Sequence, residues 1–272
     1  MTDLAGHGHM HATGGDPTPL TRSQAAAFER DGYLTVRQLA PPELVDSMRR
    51  VTRQHLTERR APLELEAELG YPGAPSSTEA VGGDAIRRLR GAYGRHPVFR
   101  RWVHYPPLTA CLRALLGDGP VLMPRAHHNC IMTKLPRFSS DSLWHQDLRY
   151  WRYARGELVT AWLALGREHA GNGGLQLIPG THRQNLAAWR FDEARFLRLD
   201  LTENDALVAQ RVSVELEAGD VLFFHSRLLH AATRNAGPDP KLAAVFTFRR
   251  HDDEPLPGSR SEAGGDVTIL PG

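Results

Sequence analysis

The sequence predicts a mainly β protein with a helical N-terminal third, in which two packed antiparallel sheets form a jelly roll and helices cover one outer face. Three observations predict it. The apolar period is helical up to the stop Gly117-Asp118-Gly119-Pro120 and alternating beyond it. Eight short β-prone segments follow that stop, at 121–134, 142–147, 157–165, 175–178, 211–216, 221–225, 229–233 and 242–249. In Arg211-Val212-Ser213-Val214-Glu215-Leu216-Glu217 the alternation is strict, placing Val212, Val214 and Leu216 on one buried face.

Taken in order, residues 1–18 are Gly, His, Thr and Pro with little apolar content and read as a disordered leader, whose His7, His9 and His11 carry no function in this reading. Residues 19–272 read as one jelly-roll domain, since no Ser/Gly-rich linker divides them. A helix through Ser23–Arg30 stops at Asp31-Gly32 and leads into a short strand, Tyr33-Leu34-Thr35-Val36. Pro41-Pro42 opens a second helix whose Leu44, Val45, Met48, Val51, His55 and Leu56 form one apolar stripe, with His55 a packed core residue. Residues 62–94 lose periodicity and read as a long irregular lid or insert, where Arg87, Arg88, Arg90 and Arg95 form a solvated face or meet an anionic substrate. Short helices are expected around 98–104 and 108–116. The stretch 185–205, with Trp189, Phe191 and Phe196, interrupts the strands as a helical insert near the barrel mouth, where such folds bind ligands.

Bulk properties narrow the function classes. A chain of 272 residues, 41% hydrophobic, can bury a sizeable core. No apolar run reaches the roughly 18 residues a membrane span requires, and no secretory pattern opens the chain, so the default compartment is the cytoplasm. The net charge of +2, from 33 basic and 31 acidic residues spread along the chain, predicts neither a nucleic-acid nor a membrane partner. Two cysteines, Cys111 and Cys130, read as buried thiols. Of the 33 basic residues only Lys134 and Lys241 are lysines.

The chemistry centres on Ser142-Leu143-Trp144-His145-Gln146-Asp147. In a strand, residues two apart share a face, so His145 and Asp147 are placed to grip one ion. After the tight turn Ala218-Gly219-Asp220, either His225 or His230 completes two histidines and one carboxylate, the set that leaves three positions on Fe(II) open.

Several separated motifs resemble the phytanoyl-CoA dioxygenase family: Phe28-Glu29-Arg30-Asp31-Gly32-Tyr33-Leu34, Trp144-His145-Gln146-Asp147, Asn172-Gly173-Gly174-Leu175-Gln176-Leu177-Ile178-Pro179-Gly180-Thr181-His182 and Gly219-Asp220-Val221-Leu222-Phe223-Phe224-His225. The resemblance spans residues 21–250 in matching order. It implies a double-stranded β-helix, cupin-like, binding Fe(II), 2-oxoglutarate and O2, and a dioxygenase that hydroxylates an unactivated C–H bond of a small molecule such as an acyl-CoA, an amino acid or a specialised metabolite. It also implies His230 as the distal ligand, because a small-residue stretch and Asn235 follow it; His225 becomes a supporting residue and His182 a loop stabiliser. Related halogenases lack the ligand carboxylate, so the presence of Asp147 implies hydroxylation.

Two departures stand out. Where the family places an arginine eleven residues after the distal histidine, this chain has Lys241, a point charge without the planar fork. Lys241 is read as the 2-oxoglutarate anchor, with Arg249 on the same strand face as fallback. Lys134 falls on the strand preceding the metal motif and Trp162 resembles the family's pocket tryptophan, so both are assigned to the same cavity. Ala232 stands where family members often carry Ser, removing one hydrogen bond to the co-substrate. These departures motivate a rival reading, a non-catalytic jelly-roll protein that binds metal or ligand without turnover. A zinc hydrolase on the same triad is weaker, since nothing beyond the triad points to a general base.

Overall fold

The computed structural model describes residues 20–270; the leader, with its three histidines, lies outside the described residues. In the helical third, α1 (Arg22–Asp31) starts on a Thr21 capping box and stops at Gly32, whose left-handed φ of 80° turns the chain into β1 (Tyr33–Val36). The helix α2 (Pro42–Thr57) buries its predicted stripe, His55 included, with Leu56 at its end half-buried. After it come β2 (Leu63–Leu65), β3 (Ile86–Arg90), α3 (Ala92–Arg95), α4 (Pro97–Val103) and α5 (Pro106–Leu116).

The β-rich part comprises β4 (Val121–Pro124), β5 (Asn129–Lys134), β6 (Ser142–His145), β7 (Leu158–Ala164), β8 (Leu175–Leu177), then α6 (Thr202–Val208), β9 (Val212–Ser213), β10 (Val221–His225), β11 (His230–Ala232), β12 (Lys241–Arg250), α7 (Arg260–Ala263) and β13 (Asp266–Ile269). Among the described residues these strands make two sheets. The larger runs β1-β10-β7-β12-β5-β3-β2, with β4 joining the far end of β12 and pairing with β13; the smaller runs β6-β11-β8-β9. The pairings are antiparallel throughout, and the expected jelly roll is present.

Strand parity decides what each residue faces. On β10, Val221 and Phe223 join the core shared with Met48, Phe99, Trp102 and Leu112 of the helices, while Leu222 and Phe224 point between the sheets. On β12, Ala244, Phe246 and Phe248 face the helices, whereas Ala243 and Val245 face inward with Trp162 of β7 and Cys130 of β5. Lys134 and Lys241 share the inward parity of Cys130 and Ala243. Both cysteines are free and buried, as expected.

Several expectations need correction. The segment 121–134 is two strands, β4 and β5, broken at a turn. The segment 211–216 forms a strand only over Val212–Ser213, with a separate bridge from Leu216 to Glu168, and Val214 and Leu216 are buried as the alternation required. Residues 62–94 are not one irregular lid. They supply β2 and β3, which extend the large sheet through β5; of the β3 arginines Arg87 is buried and Arg88 half-buried, and Arg90 is exposed. Arg87 is buried, with Nη1 3.0 Å from Glu66 and 2.6 Å from the Ser140 hydroxyl, so its charge is neutralised inside the sheet edge. Periodicity missed these strands because charged residues paired across them occupy positions that apolar residues would otherwise mark.

Candidate active site

Tertiary contacts build the site between the two sheets. His145 ends β6 and His230 begins β11, and the two are direct cross-strand partners. Asp147 departs from expectation: β6 stops at His145, and Asp147 opens a 3-10 turn, Asp147–Tyr150, tied down where Leu148 N–H donates to the Ser226 carbonyl at 3.0 Å. A turn rather than a shared strand face therefore brings the carboxylate to the imidazoles. The Nε2 atoms of His145 and His230 lie 3.9 and 3.7 Å from Oδ1 of Asp147, and the imidazole centroids are 4.3 Å apart.

The donor atoms are prepared for a metal. Each histidine turns Nδ1 to the backbone carbonyl two residues earlier, His145 to Leu143 at 2.6 Å and His230 to Leu228 at 3.1 Å. Nδ1 donates there, which leaves Nε2 lone pairs converging on one point. Burial, followed by the neighbouring His230, holds the His145 pKa well below its usual value and keeps the ring in its neutral ligating form. Asp147 is 2% exposed and its Oδ2 has no hydrogen-bond partner, an unsatisfied acceptor that a cation resolves. Ligand atoms of the three residues lie within 4.8 Å of one another. Two imidazoles with one carboxylate fit Fe(II), and among the described residues no further His, Cys, Asp or Glu joins the group.

The cavity around the triad is lined by Met132, Lys134, Trp162, Leu175, Ala232 and Lys241, among others. The two lysines and Trp162 therefore stand where they were expected, at one cavity with the metal ligands. Arg249 does not. It has the inward parity, but it sits eight residues further along β12, roughly 26 Å at a strand rise of ~3.3 Å. There it pairs with Asp266 at 2.5 Å and donates to the carbonyls of Arg250, His251 and Asp253. His225 is also remote from the triad, bonded through Nε2 to Glu157 at 2.9 Å, and His182 bonds the Glu29 carbonyl at 3.2 Å, as its loop role required. Ala232 lines the cavity without a hydroxyl.

Two residues, His128 and Glu168, escaped the sequence reading, and two expectations gain detail: Arg88, named as a group to meet an anionic substrate, and Phe196, placed in the insert near the mouth. His128 places Nδ1 3.6 Å from Oδ2 of Asp147; burial lowers its pKa to about 4 against the pull of that carboxylate. Glu168, 1% exposed, accepts from Trp162 Nε1 at 3.0 and 3.1 Å and from Lys241 Nζ at 3.2 Å. Arg88 lines the cavity with Nη1 3.1 Å from Glu64. A roof of aromatic residues spans the site: Tyr71 and Tyr150 join hydroxyls at 3.2 Å, Phe196 meets Tyr71 and His145 edge-on, and the Arg149 guanidinium lies 3.7 Å from the Phe196 centroid and 4.2 Å from that of Tyr150. The insert 185–205 thus contributes Phe196 to the roof, while its Trp189 is 52% exposed. Of the two missed residues, His128 carried a sequence signal in the doublet His127-His128, whereas a lone Glu in an irregular stretch has none.

Comparison with known proteins decides the lineage. The family model described as phytanoyl-CoA dioxygenase (PhyH) matches residues 28–243. The chain belongs to the phytanoyl-CoA dioxygenase family. A probable phytanoyl-CoA dioxygenase of Caenorhabditis elegans is 26% identical over 79% of this chain and 71% of its own length. An ectoine dioxygenase of Halomonas elongata is 26% identical over 89% and 74%. Among solved structures, EctD from S. alaskensis with 2-oxoglutarate and 5-hydroxyectoine superposes with a TM-score of 0.72 at 21% identity, covering 91% of this chain and 82% of that one. The epimerase SnoN in complex with Fe3+, alpha ketoglutarate and nogalamycin RO gives 0.67 at 21% identity, covering 87% and 90%. This phytanoyl-CoA dioxygenase family member is an iron- and 2-oxoglutarate-dependent enzyme, and His145, Asp147 and His230 form a group that could hold the metal ion. No helix among its described residues is long and apolar enough to cross a membrane.

Proposed function

We propose that the enzyme hydroxylates an unactivated C–H bond of a small-molecule substrate, with Fe(II) on His145, Asp147 and His230 and 2-oxoglutarate received toward Lys241, Lys134 and Trp162. The observation that carries this reading is the meeting, in one cavity, of a metal-ready triad and two buried lysines. When bound, the iron and its oxo acid supply oxygen activation coupled to decarboxylation to succinate and CO2.

The chain's own residues orient, neutralise and exclude water. The Leu143 and Leu228 carbonyls hold both imidazoles in one tautomer, and Asp147 keeps the third position filled by protein, which favours hydroxylation. Buried ammonium groups neutralise the distal carboxylate as point charges, without the bidentate geometry an arginine offers. The roof of Tyr71, Tyr150 and Phe196 screens the centre from solvent. Arg149 has no carboxylate partner among the described residues, and its Nη1 is buried without a hydrogen-bond acceptor. That supports a substrate with an anionic group beside an apolar or aromatic body.

The test is succinate release from protein purified without oxygen and supplied with Fe(II), 2-oxoglutarate and then air. Asp147→Ala is expected to abolish release. Turnover that survives this substitution, or a metal-loaded protein that takes up no 2-oxoglutarate, overturns the reading.

A further inference from the structure

Lys241 and Lys134 are direct partners across β12 and β5, both on the inward parity and 2% and 6% exposed. Two ammonium groups brought together in a buried cavity repel, so their counter-charges decide what each can do. Lys241 has one. Its Nζ lies 3.2 Å from Oε2 of Glu168 and 4.7 Å from the centroid of the Trp162 ring, and the same carboxylate accepts the Trp162 indole N–H with both oxygens. Lys134 has none within ion-pair distance among the described residues. Its Nζ donates to the Ser140 carbonyl at 2.7 Å, and its stem runs over Gly173, whose φ of 83° and missing side chain leave the room it occupies. The nearby guanidinium groups are already engaged, Arg87 by Glu66 and Arg88 by Glu64.

We propose that Glu168 is a positioning residue that pins Lys241 against Trp162, and that Lys134 is the cation that receives the distal carboxylate of 2-oxoglutarate. This rests on the co-substrate reading above and refines it, because the lysine in the family's arginine position is the one already neutralised. The charges agree. With Lys134 protonated, two lysines and one carboxylate carry one excess positive charge at this end of the cavity, which the distal carboxylate cancels.

Proton linkage follows from the same arrangement. Burial, then Lys241 and Arg87, push the Lys134 pKa well below its usual value, opposed by Glu66 and Asp141. These are the charged groups facing it from β12, β3, the turn after β2 and the loop before β6. Without an anion the buried amine is driven toward its neutral form, and an arriving carboxylate draws a proton onto it.

The experiment uses the full chain loaded with Mn(II) and titrates 2-oxoglutarate and 2-oxobutyrate, which has the same chelating head but no distal carboxylate. Calorimetry in two buffers of different ionisation enthalpy reads proton uptake. Lys134→Met is expected to weaken 2-oxoglutarate binding about 30-fold or more, leave 2-oxobutyrate within about 2-fold, and remove the proton uptake specific to 2-oxoglutarate. Lys134→Gln, which keeps a polar head, serves if the methionine variant fails to fold. Adding Glu168→Gln to Lys134→Met frees the Lys241 ammonium and restores 2-oxoglutarate binding to within about 5-fold of the parent, a rescue that a merely structural glutamate would not produce.

An unchanged ratio of the two affinities in Lys134→Met overturns the role of Lys134. Absence of rescue overturns that of Glu168. A parent protein that holds Mn(II) but binds neither oxo acid overturns the co-substrate reading itself, an outcome distinct from both.

Discussion

His145 and His230 stand opposite each other across β6 and β11, their rings 4.3 Å apart, and each anchors Nδ1 on the carbonyl two residues before it. One pairing register thus aims two ligands that lie far apart in the chain, while a 3-10 turn delivers Asp147 between them.

Metal binding to this prepared site stabilises the fold by linkage. Free metal at about 100 times its dissociation constant is expected to add roughly 2.7 kcal/mol. Thermal melts with and without Mn(II) measure it, and Asp147→Ala, lacking the charged ligand, is expected to show almost no shift. A shift of equal size in that variant places the metal elsewhere.

Arg87 and Glu66 form a buried pair that holds β3 to the start of β6 and the segment before it, through Ser142 and Ser140. Arg87→Leu strands the Glu66 carboxylate and is expected to cost roughly 3–5 kcal/mol in urea unfolding. Arg87→Leu with Glu66→Leu removes both charges and is expected to recover most of that loss. A single variant as stable as the parent means that the pair does not hold the sheet edge.

Phe196 is 7% exposed and carries the contacts between the 185–205 insert and the roof. Phe196→Ala is expected to destabilise by roughly 3 kcal/mol. It should also speed hydrogen exchange in 66–75 and 186–200, because Tyr71 and Arg149 lose their shared partner. Exchange unchanged in both segments would count against a common roof.

His127, whose ring lies 4.8 Å from that of Trp151, has its pKa lowered to about 3, by burial first and His128 second. The unfolded chain takes up this proton near pH 6.5 while the folded chain resists it until about 3. Stability is therefore full above the unfolded value and falls as pH drops through that window, by at most about 1.4 kcal/mol per pH unit from this group. Unfolding midpoints between pH 7 and 4 follow it. His127→Gln should give a shallower slope, and an identical slope refutes the assignment.

The jelly roll, the helical third and the metal triad were legible because each leaves a local mark. Alternation reports a half-buried strand, as at Val214 and Leu216, and separated motifs identify His145, Asp147 and His230. The strands β2 and β3 were illegible, since Arg87 and Arg88 occupy them and their burial depends on Glu66 and Glu64, partners more than twenty residues away. Arg249 illustrates the opposite error: parity was right, but distance along β12 removed it from the cavity.

What the sequence by itself determined was the set of chemical groups: a triad, two lysines in a chain otherwise written with arginines, and, through the family resemblance, one cavity for Lys134, Trp162 and Lys241. What only the tertiary structure decided was which charges meet. Pairing register put Lys241 beside Lys134, and a bridge between Glu168 and Leu216 carried Glu168 to the lysine in the family's arginine position. The physical reason is that electrostatics inside a protein depends on distances of a few ångströms in a low-dielectric interior, and such distances between distant residues are set by folding, not by local pattern.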